Sequence, residues 1–333
     1  MPGLIENHRK WTEHNWDHGG HRWSPGGTRT GTALMWARSI RPRLGRALPA
    51  ASVLEIAPGF GRWTTHLLEE CHHLIGVDIT PRCIEVCREQ FGTGTEFYVN
   101  DGASLPMVAA DSIDFAFSLD SLVHVEAPQV QTYLHELGRT LKRGATAFLH
   151  HSNLGVYADA LGVIGAYVGE RHWRAPSMSS RQFREACRRA GLHCASQEVI
   201  NWIGRDTDVD RHRLPGEQIA LTDCFSICVK DVETSLPTRV VVNQHFVEEW
   251  RELIALAASD ARAEATAVSP ETRHSARGLL AATRARWRGF LFAQREPLVR
   301  LLRADSCPDC GDRLQPGDGW SRCPACHAEF RLH

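Results

Sequence analysis

Acidic side chains close a succession of short apolar runs in this chain, and the first of them leads into a glycine turn. Val53, Leu54 and Ile56 surround Glu55, and Ala57-Pro58-Gly59-Phe60-Gly61 follows directly. A glycine turn between a strand and a helix lets a ligand approach the backbone closely. Asp78 ends the next apolar run, His73–Ile79, roughly 20 residues on, the spacing at which a second-strand carboxylate meets the two hydroxyls of a ribose. Asp101-Gly102 closes a third run and Leu119-Asp120 a fourth. A different chemistry is written at the end of the chain. Cys307-Pro-Asp-Cys310 and Cys323-Pro-Ala-Cys326 are two CxxC pairs with a Gly- and Pro-rich spacer between them. Four thiolates at this spacing satisfy a tetrahedral zinc ion and leave no position open for a substrate, so the expected role is structural.

These groups act together only if the elements carrying them converge. Strands are expected near 52–58, 73–79, 96–100, 113–119 and 145–151, alternating with helical stretches such as Gln129–Leu141. That alternation is a βαβ series and implies a mainly parallel sheet. In such a doubly wound α/β sheet, ligands bind at the carboxyl ends of the strands, where all four acidic positions fall. Ser179 and Ser180 are placed to cap a helix that Gly191 ends; strands at Leu192–Ile200 and Ala220–Lys230 then supply a terminal antiparallel pair.

Over roughly residues 50–230 the series resembles the class I S-adenosylmethionine (SAM) methyltransferases, which have a Rossmann-like fold. The resemblance implies that Glu55, Ala57, Gly59 and Gly61 form the first cofactor motif. It implies that Asp78 and Ile79 meet the ribose, Asp101 and Gly102 the adenine, and Leu119 and Asp120 the region beside the methyl group. A dehydrogenase would show G-x-G-x-x-G, whereas here Pro58 stands in the turn and Arg62-Trp63 where a third small residue would let helix and strand pack. The blocks Asn100–Gly102, Phe117–Glu126 and Phe148–Gly155 are also similar to bacterial methyltransferases thought to act on sugars or specialised metabolites. The expected reaction is therefore O-methylation of a small molecule.

Removing a proton from a hydroxyl acceptor requires a base. The candidates are His124 after the fourth strand and His150 and His151 at the end of the fifth. Adjacent strand residues point to opposite faces, so one of His150 and His151 faces the crevice; His151, nearer the strand end, is favoured as the base, with His124 orienting the acceptor. A divalent ion held by Asp120, His124 and His151 is an alternative, although hard cations prefer carboxylate-rich sites. Asn153 and Tyr157 follow and are candidate substrate contacts.

Four regions are expected: an N-terminal cap or lid over 1–50, a SAM-binding core over 51–230, a helical hairpin over 231–303 and a zinc ribbon over 304–333. Four of the ten tryptophans lie in the first 36 residues, within a segment rich in His and Gly that has no helical or strand period. Between Arg273 and Arg303 stand eight arginines against Glu296 alone, a solvated face or a grip for an acidic partner. An RNA or peptide methyltransferase that uses this basic helix and the ribbon is the rival reading. Against nucleic acid stand a formal net charge of -1 and Ser118–Ser121 where amino-methylating enzymes resemble D/N-P-P-Y. No run is long and apolar enough to span a bilayer and no signal-peptide pattern opens the chain, so a cytosolic protein with reduced thiols is expected, the ribbon available to a protein partner. Cys83, Cys87, Cys187, Cys194, Cys224 and Cys228 read as small buried apolar residues.

Overall fold

The computed structural model describes residues 3–16, 19–156, 174–202, 221–230, 236–266, 307, 312–317 and 319–332. The sheet begins with β1 (Ala50–Ile56), β2 (Cys71–Asp78), β3 (Thr95–Val99), β4 (Ile113–Ser118) and β5 (Leu141–Ser152). These pair in parallel in the order β3-β2-β1-β4-β5. Both faces of the central strands are covered, which is why they read as continuous apolar runs. Along β4 and β5 the alternation divides the core in two. Phe115, Phe117 and Phe148 join a cluster with Trp36, Trp63 and Leu67, whereas Ala116, Ala147 and Leu149 join Leu134, Leu137 and Phe183 on the other side.

The covering helices before and within this half are α1 (Leu4–Thr12), α2 (Arg29–Met35), α3 (Arg41–Leu44), α4 (Thr64–Leu68), α5 (Pro81–Gln90) and α6 (Ala127–Thr140). Pro81 and Pro128 sit in the first turns of α5 and α6, where the missing N–H costs nothing. Leu141 stops α6 in extended conformation and begins β5 directly.

Beyond β5 the chain adds α7 (Ser180–Arg189), β6 (Leu192–Ile200), β7 (Asp223–Lys230), β8 (Arg239–Asn243) and α8 (Phe246–Thr266). The Ser179 hydroxyl accepts from the Gln182 N–H, the cap expected for α7. β7 runs antiparallel to both β5 and β6, the expected terminal pair.

The expected helical hairpin outside the core is corrected in its first half. α8 lays Phe246, Val247, Trp250, Leu253 and Ala257 into the aromatic core cluster, with the Trp250 and Trp202 rings 5.0 Å apart. Arg43 of α3 fastens it by pairing with Glu198 of β6 at 2.7 Å and with Glu249 of α8 at 2.9 Å. The apolar stripe of α8 is thus satisfied by the core itself. The second expected helix, over 270–303, and Tyr157 and Cys310 lie outside the described residues.

Nor does the ribbon stand apart. Its strands β9 (Gln315–Pro316), β10 (Ser321–Arg322) and β11 (Glu329–Leu332) extend the same sheet, because β11 pairs in parallel with β8 and buries Phe330 beside Val240 and Val199. Among the described residues the result is a mixed, mostly parallel sheet of 11 strands in the order β3-β2-β1-β4-β5-β7-β6-β8-β11-β10-β9. It is the α/β, Rossmann-like arrangement expected.

Candidate functional site

The carboxyl ends of β1, β2, β3 and β4 converge as the parallel topology requires. At two of them a non-glycine residue takes a left-handed backbone, Ala57 at φ 61 and Asp120 at φ 65. Such conformations cost about 1 kcal/mol or more and collect at functional turns. Glu55 is buried beneath the first turn, where the Thr64 hydroxyl donates to it at 2.6 Å, and burial pushes its carboxyl up to about 8. Asp78 ties β2 to the glycine turn: its Oδ2 accepts from the Gly59 N–H at 3.1 Å and its Oδ1 from the Thr80 N–H at 2.8 Å. Burial raises its carboxyl against those two donors. Asp101 is exposed and accepts from the Ala103 and Ser104 N–H groups at 2.9 and 2.6 Å. Gly102, at φ 81, leaves room for Leu4 and Ile79, whose methyls lie 2.6 and 2.9 Å from where a Cβ would stand. Leu119 is buried, and Asp120 accepts from Arg62 Nη2 at 3.1 Å.

Arg62 has a part that its position in the sequence did not reveal. Standing where a small residue was sought, it is instead buried, lies 4.6 Å over the Trp63 ring, and joins Asp120 to the Gly20 carbonyl. The fixed fork of a guanidinium reaches two acceptors on different segments, which a lysine does less well. The signal available beforehand was a charged residue in an otherwise apolar turn.

The N-terminal segment covers these strand ends. Asn7 Nδ2 donates to the His124 carbonyl at 2.8 Å, and the Trp11 and His124 rings lie 5.3 Å apart. Trp16 stacks on Phe60 at 5.0 Å and abuts Gly59, where a Cβ would come within 3.0 Å of the indole. Trp11, His14, Trp16 and Trp23 form one aromatic cluster with neighbouring centroids 5.0 to 6.1 Å apart. Trp36 does otherwise: it stacks on His66 within the core.

The histidines require a correction. His151 does not face the crevice. It lies on the α7 side of β5, fully buried and stacked on Phe183 at 3.9 Å, with Nδ1 bound to the Ser152 carbonyl at 2.9 Å and Nε2 to the Ser226 hydroxyl at 2.8 Å. Burial lowers its pKa to about 3, so the imidazole is neutral and a poor base. His150 is the one on the crevice side. Its Nδ1 accepts from the Asp120 N–H at 3.1 Å, which requires the proton on Nε2, donated to Asp223 at 3.1 Å. Against burial's upward push, Arg174 and His150 hold the Asp223 carboxyl below the usual carboxylate range. His150 therefore positions the strained Asp120 turn. His124 is buried beside Trp11 at the mouth of the strand ends.

The alternative divalent site is not assembled. Asp120 pairs with Arg62 while His151 faces the opposite layer. Asn153 is also committed, its Nδ2 to the Leu221 carbonyl at 2.9 Å and its Oδ1 to the Ser180 N–H at 2.8 Å.

In the ribbon, the sulfurs of Cys307, Cys323 and Cys326 lie within 4.8 Å of one another, with Cys307 and Cys326 3.9 Å apart. Zinc–sulfur bonds of about 2.3 Å in a tetrahedron place sulfurs about 3.8 Å apart. The Cys326 N–H donates to Cys323 Sγ at 3.3 Å, favouring a thiolate there. These residues fit a zinc ion.

The family described as a methyltransferase domain matches residues 53–144, the stretch holding Glu55, Asp78, Asp101 and Asp120. Among curated proteins, phosphoethanolamine N-methyltransferase 1 of Triticum aestivum is 27% identical over 152 residues, 44% of this chain and 30% of the wheat protein. The Zea mays protein of the same name is 26% identical over 44% of this chain and 29% of its own length. The chain thus spans about a third of the length of these relatives. Among solved structures, an S-adenosylmethionine dependent methyltransferase from Mesorhizobium loti aligns with a TM-score of 0.44 at 16% identity, covering 60% of this chain and 100% of that one. A chain from the complex between the Haloferax volcanii Trm112 methyltransferase activator and a methyltransferase aligns with a TM-score of 0.42 at 21% identity, covering 60% and 92%. Residues 53–144 carry a class I SAM-dependent methyltransferase domain.

Proposed function

We propose that this chain transfers a methyl group from SAM to a small molecule bound between the strand ends and the N-terminal cap. The observation that carries the reading is Asp78, a buried carboxylate holding the Gly59 turn at the end of β2, within the matched methyltransferase domain. Asp78 and Asp101 offer acceptors on neighbouring strand ends for ribose hydroxyls, Glu55 supports the glycine turn from beneath through Thr64, and Gly59, Gly61, Ala57, Ile79, Gly102, Leu119 and Asp120 shape the walls. SAM bound there supplies an electrophilic methyl carbon. The chain's own task is to hold the acceptor's lone pair in line with that carbon and to exclude water, which the aromatic cap suits.

Two acceptor classes differ in what they require. A hydroxyl must lose a proton, and His124, beside Trp11 where the cap meets the strand ends, would take it. An amine attacks through its own lone pair and needs no strong base; the wheat relative, named for N-methylation, favours this second reading. A structural zinc ion held by Cys307, Cys310, Cys323 and Cys326 completes the proposal.

The test is transfer of labelled methyl from SAM in a host-cell extract, followed by ultrafiltration after unreacted SAM is removed. Label is expected in filtrate compounds, whose isolation identifies an O- or N-methyl product. Label held with RNA or protein would overturn the small-molecule reading.

A further inference from the structure

Three of the cysteines expected to serve as separate apolar fillers meet at one point. Cys187 comes from α7, Cys194 from β6 and Cys228 from β7; all are buried, and their sulfurs lie within 4.8 Å of one another, Cys187 and Cys228 at 3.3 Å. The fold sets this convergence. Cys194 and Cys228 are register partners across the antiparallel β6–β7 pair, so both side chains leave the sheet on one face, and α7 lays Cys187 over that face. The register then shifts between Cys194 and Ser196, a bulge of the kind that re-aims side chains.

Filling a core does not require sulfurs to meet, and a redox dithiol requires only two. Three thiolates around one metal, with bonds of about 2.3 Å, put sulfurs about 4.0 Å apart in a trigonal plane, between the shortest separation here and the 4.8 Å limit. Zn²⁺ asks for four ligands, and among the described residues this group offers three. Soft Cu(I) favours thiolates. Charge is also provided for. The Arg184 guanidinium acts electrostatically on both Cys187 and Cys194.

We propose that Cys187, Cys194 and Cys228 form a buried three-sulfur site for a soft monovalent cation of the Cu(I) type, separate from the ribbon. On binding, three S–Cu bonds form, the S–H bonds of Cys187, Cys194 and Cys228 break and their three protons leave to solvent, so the centre carries a charge of −2 that the Arg184 guanidinium offsets in part.

The full chain, supplied with zinc, is titrated anaerobically with Cu(I) against a competing chelator. It is expected to take up one equivalent without releasing zinc, with three sulfur neighbours at about 2.3 Å by X-ray absorption. Cys187→Ala and Cys228→Ala each lose that equivalent while keeping the wild-type circular dichroism, and Cys323→Ala keeps it. Fewer than three sulfurs around copper in the unsubstituted protein overturns the proposal, whether or not the variants fold. Uptake that survives Cys187→Ala, or is lost only in Cys323→Ala, overturns it as well.

Discussion

Glu55 shows what burial does to a residue whose type was easy to pick out. Its carboxyl is enclosed under the glycine turn and raised to about 8, so the folded state holds a proton that the unfolded chain releases near pH 4.3. A group with a raised folded pKa stabilises below the unfolded pKa and loses that contribution as pH rises towards the folded one. Between about pH 5 and 8 this single group lowers stability by roughly 1.4 kcal/mol per pH unit. Glu55→Gln, which can still accept from Thr64, is expected to flatten that part of the curve and to be more stable than wild type near pH 8. Urea unfolding at several pH values measures it; a slope identical to wild type would place the titration elsewhere. The acidic and glycine positions were legible in the sequence because each ends an apolar run. Which histidine faces the crevice was not, because the parity of β5 is set by its register with β4 and β7, and proximity to the strand end says nothing of face.

Among the elements, α8 and β11 changed place most. Both read as additions, and both are built into the main sheet or its cover. Arg43 is where this is concentrated: with its side chain only 19% exposed, it meets two glutamates from elements far apart in sequence. Arg43→Ala would remove the guanidinium that Glu198 and Glu249 share, and breaking a partly buried pair in this way costs about 3 kcal/mol. The expected outcome is a lower urea midpoint with an unchanged slope, and a loss below about 0.5 kcal/mol would show that water replaces the guanidinium. The helical period of α8 was visible in the sequence; that its stripe docks on Trp202 and Phe225 depends on where β6 and β7 lie in the sheet.

For the whole molecule, the parallel pairing of β11 with β8 makes the ribbon the continuation of the sheet rather than a tethered module. Stripping the zinc proposed for the ribbon is expected to release β11 and expose the β8 edge, because metal binding and folding are one event in so small a unit. Hydrogen exchange should then rise at Val240, Val241 and Val242 while β1 and β4 keep their protection. Unchanged exchange at β8 would mean that the ribbon's apolar contacts hold it without metal. The sequence by itself determined the α/β class, the strand ends that carry acidic groups and the metal-ligand spacing, since periodicity and short spacings are local properties of a chain. Only the tertiary structure decided which histidine is engaged at the crevice, what Arg62 joins, where α8 packs and that Cys187, Cys194 and Cys228 meet. Each of these depends on sheet order and register, which bring together residues that no local pattern connects.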